Sequence, residues 1–273
     1  MTKPSLRVHA AAAIALAIMS APSGAWSQNL IQNGDFSALG TLNGTSSRLS
    51  NATPLPGWTA TSVGANGGIG CVMIGVSNPA TATPMCGTSY GSPSGAPYSY
   101  GTLAFFPGTP PGGGNVYAGD GAAAYAETIS QTISGLTVGA QYTLTFYQAA
   151  AQQTGPTYTG SSIDQWKVSF GTKSQFSTAM NVAQQSGVNW ASQTMIFTAN
   201  SVSQVMTFLA TASANAQPPI LLLGDVSLKA VATPEPASVA LLGIGFAGVA
   251  ALRRKRARRQ VSVDGDDQGI IKD

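Results

Sequence analysis

Apolar and polar side chains alternate with a period of two through the middle of the chain. In Gln141–Gln148, Tyr142, Leu144 and Phe146 fall on one side and Thr143, Thr145 and Tyr147 on the other, the spacing of a half-buried strand. Trp166, Val168 and Phe170 repeat it against Lys167 and Ser169, and Ile129, Gln131 and Ile133 stand against Thr128, Ser130 and Thr132. Gln193–Thr198, Gln204–Leu209 and Ile220–Leu228 predict further strands, and Gly135–Gly139 a turn. Asn29–Phe36 predicts a first strand entering a turn at Asn33-Gly34-Asp35, with Leu30 and Phe36 as core contacts. Pro54 and Pro56 keep the segment before Trp58 extended. Glycine and proline are dense from Gly64 to Gly114, which reads as an insertion. Short strands, frequent turns and no soluble helical pattern predict an all-β chain, a single β-sandwich or jelly roll over residues 28–230 with the insertion at about 64–114.

The two ends read differently. Lys3 and Arg7 precede an apolar stretch, Ala10–Met19, then small residues and Pro22, the layout of a secretory signal peptide. Residues 1–27 form that segment, with cleavage after Ser27 or, alternatively, after Ala25; an uncleaved anchor is the other reading. At the far end Pro234-Glu235-Pro236 opens an uncharged run, Ala237–Leu252, followed by Arg253, Arg254, Lys255, Arg256, Arg258 and Arg259. The run predicts a C-terminal transmembrane helix of about 24 Å, short of a ~30 Å hydrocarbon core. Bilayer thinning or arginines reaching to the headgroups would absorb the mismatch. The basic cluster predicts a cytoplasmic stop-transfer signal, with the chain before Thr233 outside an inner-membrane-anchored precursor.

Residues 233–259 resemble the PEP-CTERM sorting tail of Gram-negative bacteria, which has a Pro-Glu-Pro motif, a hydrophobic segment and an arginine cluster in that order. The resemblance implies an exosortase, a membrane cysteine transpeptidase-like enzyme, as partner, with processing near the motif. It also implies a place in the cell envelope or outside the cell, in company with exopolysaccharide and biofilm. The tail departs from that pattern by continuing as a polar acidic segment, 260–273, with Asp264, Asp266 and Asp267. An ordinary anchor that is never cleaved is the alternative.

Residues 28–230 carry only Arg48, Lys167, Lys173 and Lys229 against Asp35, Asp120, Glu127, Asp164 and Asp225. The basic balance of the whole chain therefore comes from its ends and argues against a nucleic-acid partner. Cys71 and Cys86 are the only cysteines. In an exported chain they predict a disulfide whose loop of about 15 residues adds roughly 3 kcal/mol. A metal or redox pair is the weaker reading, since no histidine or Cys-x-x-Cys motif accompanies them. The one histidine, His9, lies in the signal segment, which excludes Ser-His-Asp and Cys-His catalysis from the exported part. Five scattered carboxylates carry no local glycosidase signature, and no glycine-rich phosphate loop opens a helix.

Asn29-Leu30-Ile31-Gln32-Asn33-Gly34-Asp35-Phe36, Pro56-Gly57-Trp58, Gln131–Leu136, Tyr142–Phe146, Phe197-Thr198-Ala199 and Asp225-Val226-Ser227-Leu228 occur in an order that resembles the galactose-binding-like jelly rolls of bacterial carbohydrate-binding modules. That resemblance implies paired first and last strands and a structural calcium near Asp35 and Asp225. Ser37 and Gly224 stand where the family often has acids, so Asp35 as a turn former and Asp225 as a solvated strand-end residue remain the alternative. For polysaccharide, Tyr147 projects with Thr143 and Thr145 away from the core face, and Gln148, Gln152, Gln153 and Tyr158 are read as the loop after it. An ordinary polar sheet face is the other reading. Trp166 and Trp190 are read as core residues. The sequence thus predicts an exported, non-enzymatic envelope or matrix protein that binds carbohydrate, against a purely structural surface protein or a carbohydrate-active hydrolase.

Overall fold

A computed structural model describes residues 28–39, 47–48, 55–68, 70–73, 83–84, 102–213, 218–232 and 253. The chain divides into two compact units, Met1–Ala230 and Val231–Asp273. The first holds the strands, in chain order: β1 (Ser47–Arg48), β2 (Thr59–Ser62), β3 (Gly70–Met73), β4 (Thr83–Pro84), β5 (Thr102–Leu103), β6 (Val116–Asp120), β7 (Glu127–Ser134), β8 (Gln141–Gln152), β9 (Ser162–Phe170), β10 (Lys173–Phe176), β11 (Met180–Val182), β12 (Gly187–Thr198), β13 (Ser203–Ala212) and β14 (Pro219–Ala230).

Two antiparallel sheets form the sandwich. The first is ordered β1-β3-β6-β14-β8-β12; the second is ordered β10-β9-β13-β7-β2, with β11 also paired to β9. Between them lies the core that the alternation predicts. Tyr142, Leu144 and Phe146 from the first sheet meet Ile129, Ile133, Trp166, Val168, Phe170, Met206 and Phe208 from the second, all buried. Trp166 sits among Tyr117 and Phe208, with ring centroids 6.0 and 6.3 Å away, and its indole N–H donates to the Leu222 carbonyl at 3.3 Å. Each such ring, fully buried, stabilises by about 1.5–3 kcal/mol.

A second apolar cluster covers half of the first sheet's outer face. Cys71, Met73, Val116, Ala118, Ala149, Ala151, Ile220 and Leu222 point away from the main core and pack under Leu103 and Phe106. Strands β3, β6 and the first half of β14 are therefore buried on both faces, which removes their alternation. Within 64–114, the stretch read as an insertion, Gly70–Met73 is a member of the first sheet, beside Val116–Asp120 that follows the stretch.

Three further expectations change. Asn29–Phe36 is not a strand, because Asn33 and Phe36 take left-handed φ values of 50° and 53°. The segment still docks on β14, through Leu30 N–H to the Leu228 carbonyl at 2.8 Å and Val226 N–H to the Gly34 carbonyl at 2.9 Å. Gln148 and Gln152 belong to β8 and not to a loop. The expected C-terminal transmembrane helix is withdrawn: among the described residues no helix is long and apolar enough to cross a membrane. Its run, 237–252, lies outside the described residues, as do 1–27, the Pro234-Glu235-Pro236 motif, Arg254 through Arg259 and the 260–273 tail; Arg253 alone is described, helical and exposed. A helix of that run would reach only about 24 Å, short of a ~30 Å hydrocarbon core.

Candidate functional site

The half of the first sheet's outer face left open by the second cluster forms a cleft of about 450 Å³. It is lined by Asn29, Thr145, Phe146, Tyr147, Ser192, Gln193, Thr194, Asp225, Ser227 and Lys229. Strand register puts these side chains in rows. Ser227 of β14 pairs with Thr145 of β8, which pairs with Thr194 of β12, so three hydroxyls cross the sheet in line at about 4.8 Å intervals. In the next row Gly224, Tyr147 and Ser192 are partners. Tyr147 thus lies between a glycine and a serine.

A β-bulge sets the charged end of the cleft. The β14 register shifts between Gly224 and Ser227, and Asp225 within it has φ 54°. The extra residue reverses the alternation of β14. Leu221 and Leu223 face the main core before it, and Val226 and Leu228 face the same core after it, which leaves Asp225, Ser227 and Lys229 in the cleft. The bulge needs room, and glycines supply it. A Cβ on Gly224 would run into the Pro110 ring, and one on Gly112 into the Asp225 carboxylate. Pro110–Gly112 therefore closes this end of the cleft. Trp190, read as core, is half-buried there, packed on the second cluster with its N–H bonded to the Gly108 carbonyl at 3.0 Å.

Of the expected ligand residues, Tyr147 lies in the cleft and the glutamines do not. Gln148 is buried and donates from Nε2 to the Thr178 carbonyl at 2.8 Å. Gln152 is fully buried; its Oε1 accepts the Gln185 N–H at 2.7 Å and its Nε2 donates to Ser162 Oγ at 3.2 Å. Gln153 is buried as well. Tyr158 is half-buried over Gly155, and its carbonyl accepts from Gln185 Nε2 at 3.1 Å. Sequence reasoning missed Ser192, Thr194, Ser227 and Lys229. The signal available was their outward parity beside a strand already recognised, hidden on β14 by the bulge.

Asp35 and Asp225 do come to one end of the fold, joined through the Gly34–Val226 hydrogen bond. Asp35 Oδ1 accepts the Ser37 N–H at 3.2 Å, a turn-forming contact. Among the described residues no three His, Cys, Asp or Glu side chains group together as metal ligands; a calcium at Asp35 and Asp225 would need carbonyl or amide oxygens besides the two carboxylates. Cys71 is fully buried in β3, and among the described residues no cysteine is free; Cys86 lies outside them.

Residues 232–256 match the PEP-CTERM protein-sorting motif. No curated protein sequence matches the chain. Among solved structures, it is similar to the enzymatically active domain of bacteriophage CBA120 tailspike protein 4, with 10% identity and a TM-score of 0.33 over 74% of this chain. It spans only 21% of that structure's length. It is also similar to TmCBM61 in complex with beta-1,4-galactotriose, with 12% identity and a TM-score of 0.34, covering 75% of this chain and 100% of that one. For a CBM4 structure the values are 18% identity and 0.32, over 74% and 99% of the two chains. Scores this low leave the likenesses without functional weight, and the cleft has to be judged on its own chemistry.

Proposed function

We propose that this is an exported protein, sorted through its PEP-CTERM motif by an exosortase to the cell envelope or extracellular matrix. There it binds polysaccharide in the cleft around Tyr147, in the setting of exopolysaccharide and biofilm. The membrane-anchored precursor expected from the tail forms no part of this reading, because no described helix can cross a bilayer. The observation that carries the binding reading is the cleft lining: the Tyr147 ring among the hydroxyls of Thr145, Ser192, Thr194 and Ser227, with the Phe146 side chain turned into the core. A ring presents an apolar face to sugar C–H surfaces, and hydroxyls both donate to and accept from sugar hydroxyls. A cleft needs few such groups to orient a ligand.

The role is non-enzymatic. Glycoside hydrolysis asks for two carboxyl groups flanking the bond, and Asp225 is the one carboxylate lining the cleft. Asp120, Glu127 and Asp164 are buried. We also propose the Cys71–Cys86 disulfide, which would fasten β3 to the chain that follows.

The test is affinity electrophoresis of the full chain in gels containing soluble polysaccharides. Retardation by at least one polymer, lost in Tyr147→Ala with an unchanged circular dichroism spectrum, supports the reading. No retardation by any polymer favours a purely structural surface protein, and turnover of a polymer would restore the hydrolase.

A further inference from the structure

The cleft is polarised. Asp225 stands at its closed end against Gly112, and Lys229 stands four residues on, at the open end beside Asn29. At about 3.3 Å per residue the two charges are roughly 13 Å apart along β14, too far to pair with each other. Among the described residues neither side chain makes a hydrogen bond or an ion pair. Between 28 and 230 the sequence has only nine charged residues, and two of them, opposite in sign, line this one cleft. Asp225 is held there at φ 54°, a left-handed conformation that aspartate adopts more readily than most side chains.

We propose that the cleft takes a uronate-containing polysaccharide in one direction, the sugar carboxylate on Lys229 and hydroxyls of a neighbouring unit on Asp225. This deepens the carbohydrate reading of the same cleft and rests on it. The Lys229 ammonium is a compact point charge with three donors, suited to a carboxylate oxygen. Asp225, acceptor-only when ionised, repels a second carboxylate at its own end. The Ser227–Thr145–Thr194 hydroxyl row lies between the two and suits the neutral face of the chain. Opposite charges at the two ends make one orientation favourable and the reverse one repulsive, which is how charge produces specificity.

The experiment compares hyaluronate, in which uronate alternates with a neutral sugar, with its carboxyl-reduced form by calorimetry on the full chain, and adds Lys229→Met and Tyr147→Ala. Hyaluronate is expected to bind about tenfold or more tightly than the reduced polymer, as a charge-assisted hydrogen bond requires. Lys229→Met should erase that preference, so that the two polymers bind alike. Equal binding of both polymers, with Lys229→Met neutral and Tyr147→Ala abolishing both, overturns the uronate assignment and leaves the cleft reading standing. Binding of both that survives Tyr147→Ala and Lys229→Met, or no binding by any polymer, overturns both.

Discussion

Gln131 holds the backbone of Gln32 on both sides: its Oε1 accepts the Gln32 N–H at 2.8 Å and its Nε2 donates to the Gln32 carbonyl at 2.9 Å. The same amide also reaches the Gly57 carbonyl at 2.7 Å. One side chain thereby does what a neighbouring strand would do, fixing the N-terminal segment and the Trp58 turn to β7. Gln152, Gln165, Gln175, Gln193 and Gln204 bind backbone groups in the same manner. In a domain poor in charge, glutamine supplies the polar crosslinks, and it does so without the desolvation cost of an ion.

Gln131→Leu should therefore lower stability by about 2–3 kcal/mol, since three hydrogen bonds are lost and their partners are only partly open to water. Gln131→Glu should do no better, because an ionised carboxylate cannot donate to the two carbonyls. Urea unfolding midpoints of the three proteins check this. A Glu variant as stable as the parent would contradict the role given to Nε2.

The Asn33-Gly34-Asp35 turn forms as expected, closed by the Phe36 N–H on the Asn33 carbonyl at 3.2 Å, and what demands glycine at 34 is close approach. A Cβ there would collide with the Val226 carbonyl and press on Ile31 Cγ2 at 3.1 Å. Gly34→Ala should separate the N-terminal segment from β14 and cost about 2–4 kcal/mol, more than an ordinary loop substitution. Faster hydrogen exchange at the Val226 and Leu228 amides, with β13 amides unchanged, is the local signature expected.

How far the sequence was readable depended on what faced each strand. Tyr142, Leu144 and Phe146 against Thr143, Thr145 and Tyr147 was legible because one face meets the core and the other meets solvent. Gln148 and Gln152 broke the reading because both point inward with Phe146: Gln152 is held by Gln185 and Ser162 and Gln148 Nε2 by the Thr178 carbonyl, while Gln148 Oε1 is buried without a partner; composition reads a glutamine as outward. Gly70–Met73 is buried at every position, so it carried no period to detect. The bulge at Asp225 had no marker either, since the residue at positive φ is not glycine. Tyr147 could thus be found from sequence, whereas Lys229 required the bulge.

The proposed Cys71–Cys86 bridge makes a direct prediction. Peptide mapping without reductant should recover one linked peptide containing both residues, and two separately alkylated peptides would exclude the pairing. Because Cys71 is fully buried between β1 and β6, reduction should require denaturant. Refolding in the reduced state should then leave a protein about 3 kcal/mol less stable, the value for a loop of this length.

Asp164 is fully buried on β9, and neither of its carboxyl oxygens has a hydrogen-bond partner. Burial pushes its pKa up to about 7; the nearby Ser162 hydroxyl opposes the shift, though without forming a bond to it, and Asp120 adds to it. Asp120, itself buried, is raised to about 6, again by burial, against the Ala122 N–H that it accepts at 2.7 Å. Both groups hold their proton more tightly in the folded than in the unfolded chain, where each would titrate near 3.8. Their contribution to stability is therefore complete below about pH 4 and is lost as pH rises through 6 to 7. The domain should be more stable at pH 4.5 than at pH 8, by on the order of 3 kcal/mol. Asp164→Asn should flatten most of that slope by raising stability at pH 8 while changing little at pH 4.5. Thermal unfolding of both proteins across this range is the measurement; a parent protein whose midpoint rises toward pH 8 would show that Asp164 is ionised and paired in the folded state.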